Sequence, residues 1–251
     1  MAQSELIKRA LDLMARCERT SSVTCSGFLT PAEIYEISNC SALTQSADAQ
    51  LYLTGGRDDC ERQVMFFLPF YIQTEDFDPG EYITAIMAKS FFGEPGHRDY
   101  LGAVLGLGIS RDRVGDIILN GDTAYIFCSV SVADAILNDL EKVGRYTVRL
   151  SRIPLSDVPS PERSTKRRSF TVKSLRLDAV AGDMFGISRT AAAELIRLGA
   201  VSLNYSVCQK TDAEIKEGDI ISLRGHGKGC ITEVGGRSKK DRLFVEADIF
   251  T

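Results

Sequence analysis

Residues 175–227 read LRLDAVAGDMFGISRTAAAELIRLGAVSLNYSVCQKTDAEIKEGDIISLRGHG. The pattern predicts two short helices followed by strands. Leu175, Leu177 and Val180 line one side of the first helix. Ser188 is a good N-cap for the second, and Ala191, Ala192 and Ala193 follow with high helix propensity. Leu195, Ile196 and Leu198 supply its apolar side, and Gly199 stands where the helix must stop. Val201 and Leu203 alternate like a short strand, and Asn204 suits a turn. Glu217-Gly218-Asp219 predicts a second turn, and Ile220–Leu223 a second strand.

The cations in this stretch carry its chemistry. Arg189 falls in the first turn of the second helix, where the helix dipole disfavours positive charge. An arginine there makes sense if a phosphate sits on the exposed N–H groups and the guanidinium together. Arg176, Arg197, Lys210 and Arg224 are spread through the same small fold. For any one of them alone, a solvated face is the plainer reading.

The order Arg176-Leu177-Asp178, Ser188-Arg189, Leu195-Ile196, Gly199-x-Val201, Asn204 and Gly218-Asp219-x-Ile221-x-x-Arg224-Gly225 resembles the alpha-L RNA-binding motif, named after ribosomal protein S-four. The likeness runs from Phe170 to Gly227. It implies a compact αα-plus-β module that holds structured RNA by shape and phosphate contacts, with Ser188, Arg189 and Asn204 at motif positions. Thr190 stands where a second cation is expected. Lys228-Gly229-Cys230 replaces a basic–aromatic pair, which leaves Lys228 as the cation of that loop. Lys239, Lys240 and Arg242, ahead of a strand expected over Leu243–Ile249, either substitute for the missing contacts or form an exposed hairpin tip.

The chain has 251 residues, enough for one large domain or two to three small ones. No apolar run approaches the length of a membrane span. The opening MAQSELIKRALDLMARCERT is charged throughout and lacks the apolar core of a signal peptide. Cysteines at 17, 25, 40, 60, 128, 208 and 230 are odd in number, with no Cys-x-x-Cys pair. Reduced thiols in a cytoplasmic protein are expected. With His97 and His226 the only histidines, neither a metal site nor a cofactor is expected. The net charge of −4 hides an asymmetry: residues 1–160 hold 14 Lys+Arg and 22 Asp+Glu, whereas 161–251 hold 16 and 12. An acidic body carrying a basic module is what an RNA-binding appendage produces.

Residues 1–60 read as an N-terminal helical region. It has a helix over 4–19, a polar break over Thr20–Gly27, and a helix opened by Thr30-Pro31-x-Glu33. A short strand over Gln50–Thr54 follows. Residues 61–153 read as a ferredoxin-like (RRM-like) domain. Its strands are Val64–Leu68, Tyr82–Ala88, Asp116–Leu119, Ala124–Ser129 and Tyr146–Leu150, with helices over Arg98–Leu107 and Val132–Val143 and a hairpin at Asn120-Gly121-Asp122. Residues 154–169, with three prolines and a basic end, read as a linker. Its Lys166-Arg167-Arg168 run either tracks a phosphate backbone or keeps the linker solvated. Residues 170–251 complete an α+β chain with the RNA-binding module.

The segment HRDYLGAVLGLGISRDRVGDI over 97–117, with Phe28-Leu29-Thr30-Pro31, Gly55-Gly56 and the C-terminal module, is similar to the bacterial YlmH family over nearly the whole chain. The resemblance implies a helical N-terminal region, an RRM-like centre and a C-terminal RNA-binding domain. It also implies binding to ribosomal RNA and to tRNA, on large ribosomal subunits carrying a stalled peptidyl-tRNA, in ribosome-associated quality control.

Signatures of catalysis are missing. His97-Arg98-Asp99 stands without the glycine-rich loop and strand lysine of a kinase, and either caps the following helix or faces a partner. Gly106, Gly108 and Gly115 do not make a dinucleotide-binding turn. Arg176-Leu177-Asp178 is similar to the catalytic segment of pseudouridine synthases, but too little chain follows it, and Asp178 is expected either to support the fold or to pair with a neighbouring arginine. The expectation is therefore a non-enzymatic RNA-binding protein on the ribosome, with a protein partner for the acidic N-terminal half. The alternatives are an RNA-modifying enzyme with its site in the central domain, or a division-linked interaction factor.

Overall fold

The computed structural model describes residues 4–46, 48–160, 165–237 and 241–250. Helix α1 (Glu5–Thr20) starts at Ser4, whose Oγ accepts the Ile7 N–H at 3.2 Å. Strand β1 (Thr24–Leu29) occupies what the sequence predicts as a polar break, because Cys25 and Phe28 find cross-strand partners in Phe66 and Val64. Helix α2 (Pro31–Ser38) opens on the expected reciprocal cap: Thr30 N–H donates to Glu33 Oε2 at 2.7 Å, and Glu33 N–H to Thr30 Oγ1 at 3.4 Å. A short α3 (Ser41–Thr44) leads to β2 (Ala49–Thr54) and β3 (Gln63–Pro69).

These strands form an antiparallel sheet in the order β1–β3–β2. Both faces of β3 are buried, as its unbroken apolar run predicts. Met65 and Phe67 pack with Ile7, Ala10 and Ile37 under the helices. Val64, Phe66 and Leu68 face the opposite way. The expected boundary between 60 and 61 is therefore wrong: it would cut the middle strand out of this sheet. The N-terminal part is helices on a sheet, and extends past Pro69.

The next elements are β4 (Ile83–Ser90), α4 (His97–Gly106), β5 (Val114–Asn120), β6 (Thr123–Ser129), α5 (Val130–Asp139), β7 (Lys142–Val143) and β8 (Tyr146–Ile153). The sheet order β5–β6–β4–β8–β7 is the expected ferredoxin-like arrangement, extended by the short β7. The hairpin at Asn120 is as predicted, with Asn120 opposite Thr123 and Gly121 at φ 57°. Helix α5 ends earlier than expected, because Lys142 and Val143 turn at Gly144 (φ 59°) and pair with β8.

One face of this sheet carries α4 and α5 over Ile86, Ala88, Ile126 and Val148. On the other face, Ala85, Tyr125 and Phe127 pack directly on Phe28, Val64, Phe66 and Leu68 of the first sheet. Arg62 ties the two sheets: its Nη2 donates to Phe28 O at 2.8 Å and its Nε to Val114 O at 3.2 Å. Asp116 accepts the Glu61 and Arg62 N–H groups at 2.6 and 3.1 Å. The open sheet face that an RRM-like domain would offer to RNA is thus largely an interior surface.

The chain divides into two units, Met1–Pro161 and Glu162–Thr251. The second contains β9 (Thr165–Val172), α6 (Leu177–Phe185), α7 (Arg189–Arg197), β10 (Val201–Leu203), β11 (Ser206–Val207), β12 (Ile220–Leu223), β13 (Gly227–Arg237) and β14 (Leu243–Phe250). The antiparallel order is β11–β10–β12–β13–β14–β9. Residues 165–169 are therefore an edge strand, not linker. Charged residues are tolerated there because Arg167 lies opposite Asp248, and its guanidinium reaches that carboxylate at 3.2 Å. Helices α6 and α7 bury Leu177, Val180, Met184, Ala192 and Ile196 against Ile221, Ile231, Val245 and Ala247. Two glycines permit the close packing. A Cβ on Gly182 would stand 3.3 Å from Ile187 O, and one on Gly229 would stand 2.8 Å from Asp248 O.

Candidate RNA interface

The second helix of the basic unit begins as expected: Ser188 Oγ accepts the Ala191 N–H at 3.1 Å, and Gly199 ends the helix region at φ 71°. The Ser188 oxygen serves this cap as an acceptor. Arg189 follows it, and its Nη2 donates to both oxygens of Asp178, at 3.2 and 3.0 Å. Asp178 is 5% exposed. Arg176, at the N-cap of α6, grips the same carboxylate through Nε and Nη2, each at 3.2 Å. Burial pushes the Asp178 carboxyl up. The hydrogen bonds and charges of Arg176 and Arg189 outweigh that and hold it below the usual carboxylate value. The same bonds raise Arg176.

The clasp changes the meaning of Arg189. It is not a bare cation set against a helix dipole; a buried carboxylate eleven positions earlier orients it. The pairing of Asp178 with an arginine is as expected. Two guanidiniums on one carboxylate leave a net positive charge, and 56% of the Arg189 side chain remains exposed.

Arg189 lines a cleft of about 220 Å³ together with Lys173, Ser174, Asp183 and Arg242. Arg242 is anchored by donating from Nη2 to Thr171 O. Three cations thus surround a small opening beside the first turn of α7, with one carboxylate among them. Lys173 was not singled out from the sequence: it follows β9 with no local pattern around it. Arg242 is the one member of the trio Lys239, Lys240 and Arg242 that can be placed; Lys239 and Lys240 lie outside the described residues.

The remaining predicted contacts fall elsewhere. Arg197 is in the last turn of α7, where its charge complements the dipole. Gln209, next to Lys210, donates to the Arg197 carbonyl at 3.2 Å, and Arg224 N–H donates to Ala200 O at 3.0 Å. Arg197, Lys210 and Arg224 are exposed around the far end of α7, where Arg197 stands roughly 12 Å from Arg189 at the helical rise. Asn204 is at φ 48°; its Nδ2 donates to Asp219 Oδ1 at 2.8 Å and its Oδ1 accepts the Ile220 N–H at 2.9 Å. It builds the turn. Arg168 is on the helix-facing side of β9 and donates to Met184 O at 3.2 Å, closing the end of α6. Arg167 and Lys228 lie on the opposite sheet face by register. Lys228 Nζ stands 5.7 and 5.4 Å from the ring centroids of Tyr205 and Phe250. Lys166 is exposed near the end of the edge strand.

Among the described residues there is no group of three His, Cys, Asp or Glu side chains able to hold a metal ion. Burial pushes Cys60 and Cys128 up to about 12, which leaves both thiols protonated. In the His97-Arg98-Asp99 segment, Asp99 accepts the Gly96 N–H at 2.8 Å and caps α4. Among the described residues no helix is long and apolar enough to cross a membrane.

Residues 2–72 match a family model described as "YlmH, N-terminal", and residues 73–157 match one described as "Putative RNA-binding domain in YlmH". The chain belongs to the YlmH family. A relative from Bacillus subtilis (strain 168), "Ribosome-associated protein quality control protein P2", is 33% identical over 239 residues, covering 95% of this chain and 92% of that protein. A solved structure, "Cell division protein ylmH from Streptococcus pneumoniae", is 19% identical with a TM-score of 0.53, and covers 64% of this chain and 98% of its own. That likeness is one of fold. The YlmH N-terminal model ends at 72, just past β3, where the sheet pairing also places the end of the first layer.

Proposed function

We propose that this YlmH-family protein binds RNA without catalysing a reaction on it, and that it acts on large ribosomal subunits carrying peptidyl-tRNA in ribosome-associated quality control. The observation that carries the reading is the cleft of Lys173, Arg189 and Arg242 beside the N-terminus of α7. Helix N–H groups, a clasped arginine and two further cations suit a phosphate, and the unit around them holds 16 Lys+Arg against 12 Asp+Glu. The name of the Bacillus subtilis relative, shared over almost the full length, supports the ribosomal setting. The fold around the cleft does its work by positioning: Asp178 fixes the guanidinium that meets the phosphate.

The test is co-sedimentation with large ribosomal subunits bearing peptidyl-tRNA. The wild-type protein is expected to pellet with them at low salt and to release as salt rises. Lys173→Glu, at an exposed position, should weaken association about tenfold while leaving thermal melting unchanged, since one charge-assisted contact is worth roughly 1.5–3 kcal/mol. Wild-type protein that stays in the supernatant would overturn the ribosomal reading.

A further inference from the structure

The cover over the ferredoxin-like sheet stops short of one end. On the covered face, cross-strand register puts Met87, Tyr125 and Ile118 in one row, packed in the inter-sheet core. The next row on that face is Arg149, Lys89, Thr123 and Asn120, all polar. Beyond it lies Phe91, whose N–H donates to Thr147 O at 3.3 Å and whose ring centroid is 5.4 Å from the Arg149 guanidinium.

The turn that follows is held firmly by its backbone. Ser90 N–H donates to Asp122 O at 2.8 Å, and Ser90 Oγ to Phe92 O at 3.2 Å. Gly93, at φ 79°, lies so close to Tyr146 that a Cβ would stand 2.5 Å from its ring. Arg145 covers that ring at 5.1 Å and donates to its hydroxyl at 2.9 Å. Yet Phe91 is 50% exposed and Phe92 82% exposed. A rigid turn that leaves two adjacent phenylalanines in water forgoes the burial that drives folding. A pair of aromatic faces set among cations suits bases on a phosphate backbone.

Charge names the partner. The turn and the segments beside it hold Lys89, Lys142, Arg145 and Arg149 against Glu94, Glu141 and Asp122, the last 3.7 Å from Lys89 Nζ, a small cationic excess within a stretch 1–160 that has 14 Lys+Arg and 22 Asp+Glu. A cationic island on an acidic body selects for a polyanion. An apolar protein partner would ask for neighbours of another kind around the phenylalanines. We infer that the end of β4 and its turn form a seat for unpaired nucleotides, with Phe91 and Phe92 stacking on bases while Lys89, Arg145 and Arg149 meet phosphates. The inference rests on the RNA-binding function proposed above, and adds to the α7 cleft a second, single-strand-reading contact in the other unit.

The experiment uses the full-length protein and a single-stranded oligouridylate containing 4-thiouridine. Photo-crosslinks are expected in residues 89–92 or 145–149. Phe91→Ala combined with Phe92→Ala should weaken oligonucleotide binding about tenfold or more, since stacked bases are worth that much each. Melting should be unchanged, because both rings are exposed. Arg149→Gln is the second variant, should the double variant be unstable; a severalfold loss is expected. Wild-type protein that fails to bind large subunits or any RNA would sink the functional reading itself. Wild-type protein that binds large subunits, but crosslinks only beyond residue 161 and binds oligouridylate equally well after Phe91 and Phe92 are removed, would overturn this inference alone. So would crosslinking of the turn to a ribosomal protein in place of RNA.

Discussion

Asp178 is the residue on which the cationic cleft depends. In the folded protein its pKa lies below the ordinary carboxylate value, so the sign of its pH effect is fixed. The stabilisation is fully present above the unfolded carboxylate range, near 3.9, and drains away as pH falls through the lower folded value. Asp178→Asn is therefore expected to lower stability at neutral pH by about 1.5–3 kcal/mol and to flatten the acid limb of a pH–stability curve. Urea melts of both proteins from pH 7 down to pH 2 provide the check; parallel curves would exclude the clasp as a source of stability. Reading the helix alone, Arg189→Glu should spare the fold, because an acid suits a helix N-terminus. The clasp reverses that expectation. The new carboxylate would face a buried one across 3.0 Å of former salt bridge, so both melting temperature and RNA affinity should fall. Arg189→Gln, which keeps a donor without like-charge repulsion, should melt closer to wild type while still losing affinity.

At the level of elements, two contacts decide how layers meet. Arg62 bonds Phe28 O in β1 and Val114 O in β5 with one planar fork. Lysine offers no such fork, so Arg62→Lys is expected to cost about 1–3 kcal/mol in equilibrium unfolding of the first unit, without altering RNA binding by the second. Gly229 lets β14 and α6 approach the same point of β13. A methyl group there would meet Asp248 O at 2.8 Å, a backbone atom that cannot swing aside. Gly229→Ala should therefore destabilise the second unit by about 1–3 kcal/mol. Measured calorimetrically, the two substitutions should shift different transitions if the units melt separately; a shared shift would show that they unfold together.

For the whole molecule, the charge division sets the expected behaviour. The second unit has its own apolar core, so residues 162–251 are expected to fold alone and to bind RNA. Each phosphate neutralised, at the cleft or beside it, should add roughly −0.7 to −0.9 to the slope of log binding constant against log salt. A flat dependence would exclude phosphate contact as the source of affinity. If, as proposed, the protein binds RNA without turnover, ribosomal RNA from cells with and without the gene should carry the same modifications by mass spectrometry. A modification lost on deletion and restored by the purified protein would establish an enzyme instead.

What the sequence by itself determined is local. The Thr30 and Ser188 caps and the Asn120-Gly121 hairpin each depend on a few neighbouring residues, and all form where their patterns predict. The both-faces-buried character of Val64–Leu68, the ferredoxin-like order of the centre and the motif around Arg189 were legible for the same reason: each is written in periodicity or short spacing. The tertiary structure decided what long-range pairing decides. Strand β9 is so charged that it reads as linker, but it pairs along its length with β14, where Asp248 opposite Arg167 and Glu246 diagonal to it offset the charge. Strand β13, over Gly227–Arg237, has no alternating pattern strong enough to announce it. The RRM-like sheet gave no hint that its open face would be covered, because the residues that cover it belong to another layer. The cationic cleft is the same case. Lys173, Arg189 and Arg242 are separated by up to 69 positions, and a carboxylate buried in α6 aims the middle one. Periodicity places a side chain on a face, but the charge it meets there depends on which distant strand packs against it.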